Sequence, residues 1–335
     1  MSVVDAIVAV RTRTASEAPV AGQPSSPLST GGAGVIFEYD VAAILMSRLL
    51  RGASVPVGIH GPVARVAFQQ SNEGYPLDDV VAWGHADPPA IAPTLQVQVK
   101  RRVSAAGGDT EFGKVIAAAV TACSGQPEQF AARRLLFGLA ARRSGASHLD
   151  ELTELTDMAR AHAEPETFEN LLRAGITRKP LRDRFGEVLA AVATAARAPE
   201  AITVRQFTHQ ILRALHVWQV EEGPDGRDWR AELDGLADLA AAAGKSPADI
   251  MTHLLAVAGR FGPRSGNIDA DHVRGELARF EVYLPAAMIG ARRPASHTTI
   301  NASGNSTVFN GQVMNFGAFH FHGGPSVSGE EKGAS

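Results

Sequence analysis

Four residues stand at spacings that could support hydrolytic chemistry: Glu38, Asp79, Gln98 and Lys100. Hydrolysis of a phosphodiester needs a cation on the scissile phosphate, an activated water, and charge to offset the five-coordinate transition state. Mg²⁺ favours one or two carboxylates, a carbonyl oxygen and several waters. Glu38, Asp79 and the backbone carbonyl of Val99 are donors of that kind, with the neighbouring acid Asp78 as the alternative to Asp79. Lys100 would orient or deprotonate the water and offset developing negative charge. Gln98 can ligate through its amide oxygen but brings no charge, which disfavours a second tightly held metal.

Each of these residues depends on an element to place it. At 100° per residue, Val41, Ala42, Leu45 and Leu49 fall within about 60° of Glu38 on a helix running from Val35 to about Arg51. Asp40, Ser47 and Arg51 lie on the opposite face. Glu38 thus points inward with the apolar residues, where a carboxylate needs a proton, a cation or hydrogen-bond donors. Either a buried arginine pairs with it, or the helix end is frayed, or it serves a cation. Strand-like runs follow at 63–70, 79–83 and 94–100. The last alternates cleanly, with Leu95, Val97 and Val99 on one side and Gln96, Gln98 and Lys100 on the other. Asp78 and Asp79 stand where a turn becomes a strand.

The rest of the chain reads as helix. Runs at 111–123, 127–143, 148–162, 181–197, 204–220, 229–243, 247–260 and 270–284 carry apolar residues at i, i+3/i+4. Trp218, Trp229 and Cys123 read as core residues; His209 and His216 would share a helix face, with no carboxylate spaced to complete a zinc site. The expected fold class is α/β: a small core of helix and short mixed sheet, then an all-α extension. The expected segments are a Ser/Pro/Gly-rich leader (1–34), the core (35–145), a helical domain (146–289) and a low-complexity tail (290–335).

Composition sets outer bounds. The chain has 335 residues, 45% apolar and 20% charged, with a net charge of -3 and one cysteine. A disulfide framework and a cysteine zinc site are excluded. No run reaches the roughly 18 apolar residues of a membrane helix, and the apolar stretch 3–10 precedes its basic residues, the reverse of a secretory signal. A cytoplasmic location without membrane association is expected. The total charge hides local asymmetry. Residues 98–145 hold eight Lys/Arg against three Asp/Glu, with Arg101–Arg102 and Arg133–Arg134 as candidate phosphate contacts or ordinary solvated faces. Residues 146–170 hold seven acids and one base.

Glutamate on a helix, aspartate at a strand start and Gln-x-Lys on the next strand resembles the order of PD-(D/E)xK nucleases. The series GGAGVIFEYDVAAILMSRLL (31–50), VAFQQ (66–70), LDDVVAW (77–83) and LQVQVKRRVSAAGGDTEFGKVIAAAV (95–120) is similar to the double-stranded DNA endonuclease domain of bacterial anti-phage proteins. Such domains serve as CD-NTase-associated effectors of CBASS immunity and precede NACHT-type ATPases. The later RKPLRDRFGEVL (178–189) and the helices to about Leu284 resemble the region after the nuclease in NACHT-linked relatives.

The resemblance implies a restriction-endonuclease-like core and a Mg²⁺-dependent endonuclease that cuts double-stranded DNA once a sensor responds. Glu38, Asp79 (or Asp78) and Gln98 would be the metal ligands and Lys100 the catalytic lysine. The family's sensor is not found here: no GxxxxGK[ST] phosphate loop occurs in the sequence. The string NASGNSTVFNGQVMNFGAFHFHG (301–323) resembles short amyloid-signalling motifs of actinobacterial immune proteins. It would recruit an NLR-like sensor in trans and favour a homo-oligomer when active; the plainer alternatives are a disordered tail or a hairpin. His320 and His322 are discounted as a metal site. The competing function is a non-catalytic DNA-binding adaptor that recruits a partner through its helices and tail.

Overall fold

The computed structural model describes residues 32–286, apart from 144, 146, 174, 197–200 and 265, together with 307–309 and 312–314. Residues 1–31 of the expected leader, most of the tail and the His320/His322 pair lie outside the described residues, whereas residues 32–34 of that leader belong to the first helix. The chain divides into two compact units at Arg292/Arg293.

In the first unit a helix, α1 (Gly32–Arg51), leads into a three-stranded antiparallel meander, β1 (Val63–Phe68), β2 (Val80–Gly84) and β3 (Thr94–Lys100). Two helices, α2 (Thr110–Gly125) and α3 (Pro127–Ala131), return the chain to β4 (Leu135–Arg142), parallel to β3. Four more follow: α4 (Ser147–Ala161), α5 (Pro165–Leu171), α6 (Lys179–Ala196) and α7 (Ala201–Ala214). Then β5 (Leu215–Val220) adds parallel to β4. After α8 (Arg227–Ala242) and α9 (Pro247–Phe261), the two-residue β6 (Asn267–Ile268) pairs with the free edge of β1, and α10 (Ala270–Ala278) closes the unit. The product is an α/β unit built on one mixed sheet of order β5-β4-β3-β2-β1-β6.

Helices cover both faces of the sheet. Residues of α1, α8, α9 and α10 share one core with Val66, Val80, Val97 and Val99. Residues of α2, α4, α6 and α7 share the other with Phe137, Leu139, Leu215 and Val217.

Two expected helices are in part strands. Residues 127–143 form α3 and then β4, and 204–220 form α7 and then β5. The reason is burial on both sides: Leu135, Phe137, Leu139, Ala140 and Ala141 are all within 1% of full burial, so no polar alternation marks the strand. His209 and His216 therefore sit on different elements. The segment 146–289 also contributes β5 and β6 to the sheet rather than helices alone. Trp218, Trp229 and Cys123 are buried, as expected.

The outward face of α1 also departs from expectation. Asp40 and Ser47 are buried, because α8 and α9 pack where solvent was expected. Glu232 of α8, with no exposed surface, accepts from Ser47 Oγ (2.8 Å), Arg48 Nε (2.7 Å) and Arg51.

In the second unit β7 (Thr307–Phe309) pairs antiparallel with β8 (Gln312–Met314), Val308 opposite Val313. The residues between are Asn310 and Gly311, the dipeptide that two-residue hairpins prefer.

Removing the Glu232 carboxylate strands two part-buried guanidinium groups against α1, and breaking such a pair costs about 3–5 kcal/mol. Glu232→Ala should lower the thermal midpoint by several degrees, whereas Glu222→Ala, which removes the part-exposed partner of Arg101 and Arg142 just after β5, should lower it much less. Equal midpoints for the two variants in a calorimetric scan would contradict this account of the α1 anchor.

Candidate active site

The site forms where three chain segments meet at one end of the sheet. Asp79 immediately precedes β2, Gln98 and Lys100 end β3, and Glu38 lies near the start of α1. The β2–β3 pairing sets Val80 opposite Val97, which brings Asp79 level with Gln98. Asp79 Oδ2 accepts from the Val99 backbone N–H (2.7 Å) and from Gln98 Nε2, so both residues hold the aspartate rather than each other. Both bonds converge on Oδ2.

Glu38 is the electrostatic anomaly. Burial, the nearby Asp79 and Asp78, and only a partial offset from Lys100 raise its pKa to about 7. No arginine pairs with it among the described residues, so the structural ion-pair reading of this inward carboxylate is not the one realised. Asp79 is raised to about 6, first by burial and then by Asp78, against the lowering effect of Lys100, the Val99 N–H and Gln98. Burial also raises Asp78, which Ser71 partly offsets by hydrogen bonding. Two carboxylates whose pKa values burial raises, with Lys100 offsetting each only in part, need additional positive charge to ionise together.

Could these residues hold Mg²⁺? Among the described residues no cluster of three or more His, Cys, Asp or Glu side chains is arranged as a metal-holding group. Mg²⁺ does not require one, since it retains waters and takes one or two carboxylates. Glu38 and Asp79 fit that donor set on chemistry, and the excess negative charge that raises both pKa values is what a cation would relieve. Val99 is buried in β3 with its N–H committed to Asp79.

Two acids that the spacing argument did not assign shape the site. Glu111, in the first turn of α2, stands 3.5 Å from Lys100 Nζ and 2.6 Å from Lys114 Nζ. Asp109 caps α2, accepting from the Glu111 (2.9 Å) and Phe112 (3.2 Å) N–H groups, while its other oxygen binds Ser104. An N-cap aspartate before an apolar run was the signal for this turn. The second acid is Glu222, just after β5, which pairs with Arg101 (2.9 Å) and Arg142 (3.0 Å).

The expected basic patch is therefore divided. Arg101 is at the site but already paired, and Arg102 is exposed. Arg133 and Arg134 precede β4, beside Thr94, at the opposite end of β3 from Lys100. They do not join this site, because β3 and β4 run parallel and their starts lie a full strand length from their ends. No helix among the described residues is long and apolar enough to cross a membrane.

Compared with protein-family models, with curated proteins and with solved structures, the chain gives no match.

The raised acids dictate a sign for stability against pH. Glu38, Asp79 and Asp40 (raised to about 6 by burial and then Glu222) hold protons in the folded state to higher pH than in the unfolded chain. Their contribution is full below about pH 4 and is lost as pH rises through 6 to 7. Without divalent metal the melting temperature should fall between pH 5 and 8, and millimolar Mg²⁺ should recover part of the loss at pH 8 only. Glu38→Gln should flatten the fall and shrink the Mg²⁺ effect, with a gain of about 2–4 °C per kcal/mol relieved. If Glu38→Gln instead melts lower at pH 8 with the Mg²⁺ response intact, Glu38 is a structural residue.

Proposed function

We propose that the protein is a metal-dependent endonuclease of double-stranded DNA with a restriction-endonuclease-like core, acting as an anti-phage effector under the control of a partner or of self-assembly. The observation that carries this reading is Glu38: a desolvated carboxylate without an ion-pair partner, facing Asp79 and Lys100. A carboxylate kept at that cost, beside a second one and a lysine, is suited to a cation and a phosphate rather than to packing. The order helix, three antiparallel strands, helices and a parallel strand, with the acid and lysine at the ends of β2 and β3, also favours it.

Glu38 and Asp79 would hold Mg²⁺, which when bound supplies positive charge to the scissile phosphate. Gln98 and the Val99 N–H restrain Asp79, so that its carboxylate keeps a fixed direction. Lys100 sits two residues further along β3, at the end of the strand, where its ammonium can align a water and offset charge on the phosphorane. Glu111, 3.5 Å from its ammonium, steadies the Lys100 side chain until a phosphate displaces the pair. Arg102, exposed beside the site and without an ion-pair partner among the described residues, is the candidate phosphate contact; Arg101 becomes available only when Glu222 releases it. Duplex binding at this end is then expected to be weak until substrate or a partner competes for Glu222.

Incubation with supercoiled plasmid and Mg²⁺ should give nicked and linear products that EDTA prevents. Lys100→Ala should reduce the rate by about a hundredfold or more, the effect of losing one transition-state charge contact, with its melting temperature unchanged. A Lys100→Ala protein that cuts as fast as the parent would refute the site. Duplex binding with no cleavage under any metal would favour the non-catalytic adaptor.

A further inference from the structure

At the end of the sheet remote from Glu38 and Lys100, a concave pocket of about 760 Å³ opens between the starts of β3, β4 and β5 and the ends of α4 and α7. Its walls carry Arg133, Arg160 and Arg213, and no carboxylate lines it. Two of the three guanidinium groups are partly engaged. Arg160 donates to the Leu215 carbonyl (2.6 Å) and to Asp157 (2.5 Å), and Arg213 to the Ala163 carbonyl at a longer 3.3 Å.

Arg133 differs from both. It is exposed, has no acidic partner within 4 Å among the described residues, and sits with φ +56° in the left-handed region. That conformation costs a non-glycine residue about 1–2 kcal/mol; here it ends α3, the Arg133 and Arg134 N–H groups bonding the Phe130 (3.0 Å) and Gln129 (2.8 Å) carbonyls. Arg133 is also close enough to Arg213 to disfavour its charged form, in addition to the effect of burial. Glu164 offsets Arg213 only in part, and it does not line the cavity, so an anion there would relieve the two like charges.

The remaining wall is suited to an organic group. Phe130 and Leu136 supply apolar surface, and Gln210 Oε1 is a buried acceptor with no hydrogen-bond partner among the described residues. His216 is neutral at physiological pH: burial, then Arg160 and His60, lower its pKa to about 3. Gly58, at φ +83°, allows its loop to close against this wall, since a Cβ there would lie 3.2 Å from Leu95 Cδ1 and 3.4 Å from His216 Cδ2. The volume falls within the roughly 300–1,000 Å³ of small-molecule sites. A rigid duplex is too wide to enter such a recess and could touch only its rim.

We propose that this pocket binds a small phosphorylated ligand, a nucleoside monophosphate in size, with the phosphate between Arg133 and Arg213 and an unpaired donor of the base or sugar on Gln210. The site is separate from the candidate active site and does not rest on the nuclease reading.

Isothermal titration of the full chain with a mixture of AMP, GMP, CMP and UMP, at fixed ionic strength, tests it against inorganic phosphate, adenosine and a 20-base-pair duplex. The nucleotides should bind, phosphate more weakly, and adenosine not measurably. Arg133→Asn, which tolerates the left-handed backbone, and Arg213→Gln should each weaken nucleotide binding by about tenfold or more, the effect of losing a charge-assisted contact. Circular dichroism confirms folding of each variant, and either one alone suffices for the comparison. No nucleotide binding at millimolar concentration would overturn the proposal. So would affinity unchanged in the folded variants, or a loss confined to the duplex.

Discussion

A single carboxylate without exposed surface, Glu232, ties the late part of the chain to its beginning. It accepts from Ser47, Arg48 and Arg51 of α1, and Leu236, Leu239 and Ala240 of the same helix share the core with Leu45 and Leu49. Because α1 is apolar on one face and paired to Glu232 on the other, it is held on both sides, and its orientation over the sheet is set by contacts more than 180 residues away. Glu38 inherits that orientation. The raised pKa of a side chain near the start of α1 is thus a consequence of helices that lie far later in sequence.

The two ends of the sheet treat charge in opposite ways. At the β3 C-terminal end, Glu38, Asp78 and Asp79 outnumber Lys100, and nearby Arg101, Arg142 and Arg143 are paired with Glu222 or Glu221. At the other end, three guanidinium groups line a pocket to whose wall no carboxylate contributes among the described residues. Net charge near zero for the whole chain therefore conceals a separation along the strand direction. That separation follows from parallel pairing of β3, β4 and β5, which collects strand starts at one end and strand ends at the other.

How much of this could be read from residues alone depended on exposure. In β3 the alternation of Gln98 and Lys100 with Val97 and Val99 was legible, because one side of the strand end meets the site while the other meets α1. The strand bounds 94–100 were recovered as they stand. In β4 and β5 both faces meet helices, so Leu135–Ala141 and Leu215–Val220 offer no polar beat and read as helix by default. The inward aim of Glu38 followed from helical geometry; the burial of Asp40 and Ser47 did not, since it needs α8 and α9 as neighbours. Arg133 and Arg134 looked equivalent to Arg101 and Arg102 as basic pairs, and only the direction of β4 separates them. Glu111 and Glu222 had no motif of their own: one is an acid in a helix first turn, the other the second acid of a Glu-Glu-Gly turn.

The small β6 has a consequence for the order in which the molecule can be assembled. Its two residues seal the edge of β1, and its neighbours Val273, Leu277 and Val282 complete the core around α1. During synthesis, α1 through β4 emerge first with all the groups of the candidate active site, but with one whole flank of α1 bare. Until residues to about 282 have been released, the core that holds α1, and with it Glu38, over the sheet is incomplete. A nascent or prematurely terminated chain thus carries every chemically competent side chain without the frame that aligns them, so the site can be completed only late, after nearly the whole first unit has left the tunnel.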